Sequence, residues 1–453
     1  MAKNKTVINY VCQECGYDTP QWLGKCPECG EWNSFKEIKV SGTSLSAANG
    51  VINSQESVKP QKLSEIVTTN KLRIQTNFTE LNTVLGGGIV LGSVLLLAGD
   101  PGVGKSTLLL QLCLSLARQG KKVLYVSGEE STDQIKMRAI RLAESNNNGK
   151  TANLTSNEEN LYLISITDAD AAVQQMQNEK PDLVIVDSIQ TMQSANAAGL
   201  SGSVAQVRYA TWSFVRAAKT LNIPVILVGH VTKEGMVAGP MVLSHMVDCV
   251  LFLEGEKFTT TRILRAYKNR FGPVDEVGIF QMMEAGMAEV TNPEQLFLSH
   301  EKQSTPGSVL VVTLEGSRPF MVELQALAVY SKLVMPRRVV SGVDQRRVEL
   351  LLAVLQKHCR LPVDSMDVFI NVAGGLKVAD PAVDLGICLA VYASIKNIDL
   401  SQTVGIAEIG LLGELRPVTG LEKRLREAKK LGFKSIITHQ TNRQVADVFK
   451  KIG

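Results

Sequence analysis

The sequence predicts an α/β protein in three parts: a small cysteine-rich module, a central core on a mostly parallel sheet, and a second α/β unit at the C-terminus. Two Cys-x-x-Cys pairs stand close to the N-terminus. From about Gln61, apolar strand patterns alternate with helical ones, which is typical of a parallel sheet with helices on both faces. From Ser308 a second series of strand and helix patterns begins.

The length of 453 residues is too great for a single hydrophobic core. We therefore divide the chain into a module at residues 1–40, a linker at 41–60, a core at 61–295 and a C-terminal unit at 296–453. The linker is expected to be flexible because it is rich in Ser, Asn and Gly and has no helical or strand period.

Composition indicates a soluble globular protein, with 45% hydrophobic and 20% charged residues. The net charge of +4 is only mildly basic, so any nucleic-acid surface must be local. No apolar run approaches the roughly 20 residues that span a bilayer, and the polar start lacks the apolar segment of a secretion signal. We therefore expect a cytoplasmic protein with no membrane partner. Four cysteines lie singly in apolar surroundings, as reduced core residues do: Cys113, Cys249, Cys359 and Cys388.

The two cysteine pairs of the N-terminal module predict a zinc site with four thiolate ligands: Cys12, Cys15, Cys26 and Cys29. Two knuckles of the same form can surround one Zn²⁺ as a tetrahedron. The alternatives are a redox pair or two disulfides, and a cytosolic chain favours zinc over both. The module's partner stays open among DNA, another protein and the neighbouring core.

A glycine-rich loop between a strand and a helix predicts nucleotide binding. The stretch Gly99 to Thr107 matches G-x-x-x-x-G-K-[ST], and it follows the apolar run Val94–Ala98. Backbone N–H groups of such a loop, with the N-terminus of the next helix, attract phosphate oxygens. We expect Lys105 to reach the β- and γ-phosphates of ATP and Ser106 to ligate Mg²⁺. The predicted binding residues are Gly99, Asp100, Pro101, Gly102, Val103, Gly104, Lys105, Ser106 and Thr107.

Acidic residues follow two further strand patterns of the core. Glu129 and Glu130 come directly after one, where a carboxylate lies beside the phosphate loop in a parallel sheet. One of them is expected to orient or deprotonate the attacking water, with Glu130 slightly preferred. Alternatively, both simply begin the next helix, where acids are favoured. Asp187 ends another buried run and is expected to hold Mg²⁺ through water.

His230 ends a third buried strand pattern and precedes a glycine-punctuated loop. A polar side chain at this strand tip can sense the γ-phosphate and pass its state to the loop that follows. The alternative is a histidine with a structural role alone.

Two cations stand two residues apart in the stretch Lys268-Asn269-Arg270-Phe271-Gly272, after an alternating strand pattern. Side chains two apart on a strand share one face. Two aligned cations suit the γ-phosphate of a neighbouring subunit, as an arginine finger supplied in trans. This interpretation requires a ring or filament in which each subunit completes the next one's site.

Together these features resemble the RadA (Sms) family of bacterial DNA-repair proteins, over nearly the whole chain. The resemblance implies a hexameric, DNA-stimulated ATPase with a RecA-like core, which uses ATP, Mg²⁺ and Zn²⁺ and assists branch migration during homologous recombination and repair of DNA breaks. The implied partners are single-stranded and branched DNA and a RecA-type recombinase. The loops after Asp187 and His230 match the positions where RecA-like proteins hold single-stranded DNA, and Lys233 is the implied DNA contact.

The C-terminal unit resembles the proteolytic domain of Lon through the stretches 380–386 and 413–423. Lon enzymes use a serine nucleophile activated by a lysine. By motif position Asp384 stands in place of that serine and Glu422 in place of that lysine, although Lys423 is adjacent. We therefore expect a scaffold without peptidase chemistry that serves ring assembly and presents basic residues to DNA. Those residues, which could equally be an ordinary solvated surface or an interface, are Arg337, Arg338, Arg346 and Arg347.

Two other functions remain open at this point. The first is an ATP-dependent protease with Lon chemistry, against which Asp384 argues. The second is a signalling ATPase that resembles KaiC, which also has paired acids after its second strand. The zinc module and the five-residue box formed by residues 268–272 favour the RadA family over both.

Overall fold

The structure is a computed structural model that describes residues 7–12, 18–19, 21–27, 30–40, 62, 73–145, 159–230, 240–255, 260–290, 305–433 and 435–452. The predicted linker, Cys15, Cys29 and Lys233 lie outside these residues. The chain forms two compact units. The first comprises Met1–Glu254, Arg262–Val274 and Met282–Ala288, and the second comprises Gly255–Thr261, Asp275–Gln281 and Glu289–Gly453.

The N-terminal module contains a small antiparallel sheet. Its strands are β1 (Val7–Cys12), β2 (Asp18–Thr19) and β3 (Phe35–Val40). They pair in the order β2-β1-β3. Cys12 and Cys26 are buried together with Phe35, while Trp22 and Trp32 are exposed. Two thiols and the Phe35 ring therefore fill the centre of the described part of this module.

The core elements are helices α1 (Thr79–Val84), α2 (Lys105–Arg118), α3 (Thr132–Ser145), α4 (Ala169–Glu179), α5 (Val204–Leu221) and α6 (Pro240–Leu243). The strands are β4 (Arg73–Ile74), β5 (Ile89–Val90), β6 (Val94–Gly99), β7 (Val123–Ser127), β8 (Leu161–Ser165), β9 (Leu183–Asp187), β10 (Val225–His230), β11 (Cys249–Glu254), β12 (Thr261–Asn269), β13 (Val277–Met283) and β14 (Gly286–Glu289).

Among the described residues the core strands form a sheet in the order β14-β13-β12-β11-β6-β10-β9-β7-β8. The strands from β11 to β8 are parallel, and β12 runs antiparallel to β11. Every residue of β6, β7 and β9 is buried, because helices cover both faces of a parallel sheet. The predicted α/β class with a mostly parallel sheet is confirmed.

The second unit is another α/β layer. Its strands are β15 (Ser308–Glu315), β16 (Arg318–Tyr330), β17 (Arg338–Ser341), β18 (Met366–Val372), β19 (Thr403–Ile406), β20 (Glu408–Ile409), β21 (Leu415–Arg416) and β22 (Ser435–Thr438). Its helices are α7 (Gln345–Cys359), α8 (Asp384–Lys396), α9 (Leu421–Lys430) and α10 (Val445–Ile452). The main sheet has the order β17-β18-β16-β15-β19-β22, and α8 is almost wholly buried. No helix in the described part of the chain is long and apolar enough to cross a bilayer.

Candidate functional site

Four neighbouring strands of the core end at one edge of the sheet. His230 pairs with Gly99 at the ends of β10 and β6, and Ser127 pairs with Asp187 at the ends of β7 and β9. β10 lies between β6 and β9 and is parallel to both. The sequence-predicted residues on these strand tips therefore share one edge, as expected of a parallel sheet.

The phosphate loop occupies the connection from β6 to α2. Gly99 has φ +155°, and a Cβ there would lie 2.3 Å from the Leu253 carbonyl oxygen, so no larger residue fits. Gly104, with φ +110°, immediately precedes α2. The buried Arg262 donates from Nε to the Val103 carbonyl at 3.0 Å. This bond, which the sequence did not predict, fixes the shape of the loop from outside.

Lys105 is 3% exposed and lies inside the loop. Its Nζ donates to the carbonyls of Gly99 at 2.8 Å and Asp100 at 3.0 Å. Burial lowers the pKa of the Lys105 amine, and the carboxylate of Asp187 is the strongest of the charges that oppose this shift. Two loop carbonyls thus hold the amine inside the loop, and the oxygens of a bound phosphate would replace them as its partners.

Asp187 is positioned by a tyrosine that the sequence did not single out. The Tyr125 hydroxyl donates to Asp187 Oδ2 at 2.5 Å, and both side chains are buried. Burial, followed by the charge of Asp187, raises the pKa of Tyr125 well above its usual value, so the hydroxyl stays a donor. Carboxylate and hydroxyl oxygens are ligands suited to Mg²⁺, which fits Asp187 together with Ser106 at the start of α2.

The structure separates the two acids that follow β7. Glu129 accepts a 2.5 Å hydrogen bond from Ser188, the residue after Asp187, so its carboxylate faces the strand tips. Glu130 instead pairs with Arg138 on α3: Arg138 NH1 donates to one carboxylate oxygen at 2.9 Å, and NH2 lies 2.8 Å from the other. This arrangement favours Glu129 over Glu130 as the residue that would orient or deprotonate the attacking water. The sequence had slightly favoured Glu130.

His230 bridges the phosphate loop and Glu129. The ammonium of Lys105 can only donate, so His230 Nδ1, at 3.2 Å from Lys105 Nζ, is the acceptor. The ring proton then lies on Nε2, which is 3.3 Å from Glu129 Oε1. The imidazole therefore lies close to both the Lys105 amine and the Glu129 carboxylate, while its role as a sensor of the γ-phosphate stays a prediction.

The cations of the box at 268–272 lie at the opposite edge of the sheet. Lys268 Nζ donates to the carbonyls of Ser244 at 2.6 Å and Val247 at 2.8 Å. Arg270, 58% exposed, pairs with Asp248 Oδ1 at 3.2 Å, and Asp248 in turn accepts from the Val94 N–H at the start of β6. The length of β6, about 16 Å at ~3.3 Å per residue, separates this edge from the phosphate loop.

Asp248 anchors this second cluster. Although burial favours its protonated form, hydrogen bonds from Lys219 at 2.5 Å and from the Val94 N–H keep the pKa of Asp248 below its usual value. The sequence did not predict Asp248 because its partners come from three separate segments. Since its carboxylate stays charged, it holds Arg270 at the surface without removing it from solvent.

Two of the four predicted zinc ligands, Cys12 and Cys26, lie among the described residues. Cys12 and Cys26 are both buried in the N-terminal module, and Cys12 Sγ donates to Ser34 Oγ at 3.1 Å. The Gly30 N–H donates to the Cys26 carbonyl at 2.9 Å. The two described thiols come from the two separate pairs and share one cluster, which fits a single site for Zn²⁺.

In the second unit an arginine neutralises the acid at the Lon serine position. Asp384 is 1% exposed and accepts from Arg347 Nε at 3.1 Å, from Arg347 NH2, and from the Ile409 N–H at 3.1 Å. Burial raises the pKa of Asp384, and the Arg347 hydrogen bonds oppose that shift. Glu422 lies in the first turn of α9, while Lys423 Nζ donates to the Ser317 carbonyl at 3.3 Å.

The four arginines grouped together in the sequence differ in their surroundings. Arg347 is engaged by Asp384, and Arg338 donates to the carbonyls of Arg337, Met366 and Val363. Arg346 is exposed. The predicted basic patch therefore includes two side chains that are committed to the interior of their own unit.

Removing Arg347 is expected to destabilise the second unit by about 3–5 kcal/mol, because the buried Asp384 would lose its partner. Urea unfolding of full-length Arg347→Ala, followed by circular dichroism, measures this loss. The adjacent exposed Arg346→Ala is the matched control and is expected to change stability by less than about 0.5 kcal/mol. Equal losses in the two variants would contradict a specific role of the Arg347–Asp384 pair.

Three family models match separate parts of the chain. A rubredoxin metal binding domain matches residues 10–37, an AAA domain matches residues 58–236, and subunit ChlI of Mg-chelatase matches residues 334–442. With the phosphate loop, the AAA match assigns ATP and Mg²⁺ to the core, and the metal-binding match assigns Zn²⁺ to the N-terminal module. The cofactors predicted from the sequence are confirmed.

Curated relatives match almost the whole chain. "DNA repair protein RadA" of Halalkalibacterium halodurans is 46% identical over 98% of this chain and 94% of the relative. The proteins of the same description from Streptococcus pyogenes serotype M1 and Bacillus subtilis strain 168 are 45% and 44% identical, over 99% and 98% of this chain and 95% and 94% of their own lengths. A solved structure described as the RadB recombinase aligns at 24% identity and a TM-score of 0.38, over 48% of this chain and 99% of that one. The chain belongs to the RadA family of DNA repair proteins.

Proposed function

We propose that this ATPase is stimulated by DNA and processes recombination intermediates, driving or assisting branch migration on single-stranded and branched DNA with a RecA-type recombinase. The observation that carries the proposal is a pair of hydrogen bonds that join the loop after Asp187 to Glu129 and His230. Its support from relatives is their description as DNA repair proteins.

The loop after Asp187 makes two hydrogen bonds to residues of the candidate site. Ser188 donates to Glu129, and Gln190 Nε2 donates to the His230 carbonyl at 3.2 Å, just before the segment that contains Lys233. Farther along, Gln206 at the start of α5 holds this loop through bonds to Ser194 and to the Ala197 carbonyl. A DNA strand bound on these loops would therefore shift the hydrogen bonds that orient Glu129 and His230. We propose Lys233 as one of its contacts.

In this proposal, a ring of subunits completes each ATP site. The length of β6, about 16 Å, separates Arg270 from the phosphate loop of its own subunit and exceeds the length of an arginine side chain. Arg270 can therefore contact a nucleotide only if that nucleotide is bound to a neighbouring subunit. A closed ring, for which we propose six subunits, gives every nucleotide such a partner. The second unit then acts as a scaffold without peptidase chemistry, since the residue at its serine position is a carboxylate held by Arg347.

The first test is the ATPase rate of the wild-type chain with and without a single-stranded oligonucleotide. We expect the oligonucleotide to raise kcat, because it would fix the loop that carries Ser188 and Gln190. Lys233→Ala is expected to need more DNA for the same stimulation while its rate without DNA stays at the wild-type level. Turnover that ignores DNA would contradict the proposal and favour a signalling ATPase, and cleavage of casein would favour a protease.

A further inference from the structure

The box at 268–272 is fastened to the turn that follows α1. Asn269 Nδ2 donates to the Val84 carbonyl at 3.3 Å, and its Oδ1 accepts from the Phe271 N–H at 2.9 Å. Gly86 and Gly272 approach so closely that a Cβ on either would lie 2.8 Å from the Cα of the other. The two turns are therefore packed backbone against backbone.

Arg73 on β4 joins the same two turns. Its NH1 donates to the carbonyls of Leu85 at 3.3 Å and Gly88 at 3.1 Å, while its NH2 donates to the Phe271 carbonyl at 2.7 Å. One planar guanidinium thus holds three carbonyl oxygens from two segments that are distant in the sequence. A lysine has no fork of donors with which to do the same.

We propose that Arg73 is a positioning residue for the cations Lys268 and Arg270, and that it sets where they meet the nucleotide of the neighbouring subunit. This inference rests on the proposed action in trans. Arg73 acts through the backbone of Phe271 and does not itself reach the phosphate.

The arrangement of contacts along the box supports this role. Asn269, Phe271 and Gly272 make the contacts with the turn at 84–88, and Arg270, which stands between them, stays largely exposed. A cation that stabilises a transition state gains most when its backbone is already fixed, because no reorganisation is then needed at the moment of reaction. The hydrogen bonds of Arg73 hold the backbone at the end of β12 in place in this way.

The test uses full-length Arg73→Ala, with Arg73→Lys as a milder variant and the exposed Arg141→Ala as a control. We expect Arg73→Ala to lower kcat by about 10²-fold, as a misplaced group does, with unchanged binding of a fluorescent ATP analogue. Arg73→Lys is expected to fall between Arg73→Ala and wild type. Arg141→Ala is expected to match wild type.

Mixed oligomers separate positioning from folding. Lys105→Ala subunits have an intact box but no phosphate lysine, so mixing them with Arg73→Ala is expected to restore hydrolysis at interfaces where each supplies its intact part. Mixing Arg73→Ala with Lys268→Ala is expected to restore nothing, because both lack a competent box. Lost ATP binding in Arg73→Ala, or no rescue by Lys105→Ala, would overturn the inference. The pair Lys268→Ala with Lys105→Ala tests the trans arrangement alone, so its failure would instead contradict the proposed function.

Discussion

Arg270→Ala is expected to lower kcat for ATP hydrolysis by about 10³–10⁵-fold, the range in which arginine fingers act, while ATP binding stays at the wild-type level. The reason is geometric: Arg270 lies at the edge of the sheet opposite its own phosphate loop and is mostly exposed. Steady-state phosphate release and equilibrium binding of a nucleotide analogue measure the two quantities separately.

The control for Arg270→Ala is Lys219→Ala. Lys219 also pairs with Asp248, at 2.5 Å, but it lies on α5 outside the box. Removing it takes away a cation from the same cluster, and we expect kcat to stay within a few-fold of wild type. A loss of ATP binding in Arg270→Ala, or an equal loss of kcat in both variants, would argue for a structural role of the cluster.

Glu129→Gln is expected to lower kcat by about 10²–10⁴-fold with little change in ATP binding, because the amide cannot accept a proton from the attacking water. Glu129 accepts from Ser188 and lies 3.3 Å from His230, so its carboxylate is fixed beside the strand tips. Single-turnover hydrolysis, measured with enzyme in excess over ATP, reports the chemical step directly.

Glu130→Gln is the matched control because it makes the same change one residue away. Glu130 forms a partly exposed pair with Arg138, and such pairs contribute about 0–1 kcal/mol to stability. We expect its kcat to remain near the wild-type value. A larger loss in Glu130→Gln than in Glu129→Gln would reverse the assignment made from the geometry.

The phosphate loop and the strand tips could be predicted because their information is local. A run of buried residues such as Val94–Ala98, followed by glycines and a helix, has one common structural outcome. Parallel strands then bring their carboxyl ends to one edge, which is why His230 pairs with Gly99 and Asp187 with Ser127 at that edge.

The choice between Glu129 and Glu130 could not be predicted, because adjacent residues of the same type have the same local pattern. Distant partners distinguish the two side chains: Ser188 donates to the Glu129 carboxylate and Arg138 to the Glu130 carboxylate, and the catalytic role of Glu129 is a proposal drawn from this difference. The roles of Tyr125, Arg262 and Arg73 were missed for the same reason, since each acts on a backbone or carboxylate oxygen from another segment.

By itself the sequence determined the α/β class, the phosphate loop, the zinc ligands as a pattern and the family resemblance, because motif spacing and hydrophobic period are properties of short segments. Only the tertiary structure decided that Lys268 and Arg270 lie across β6 from their own phosphate loop and that Arg347 neutralises Asp384. Strand order and long-range pairing set these distances, and neither is contained in any single segment of the chain.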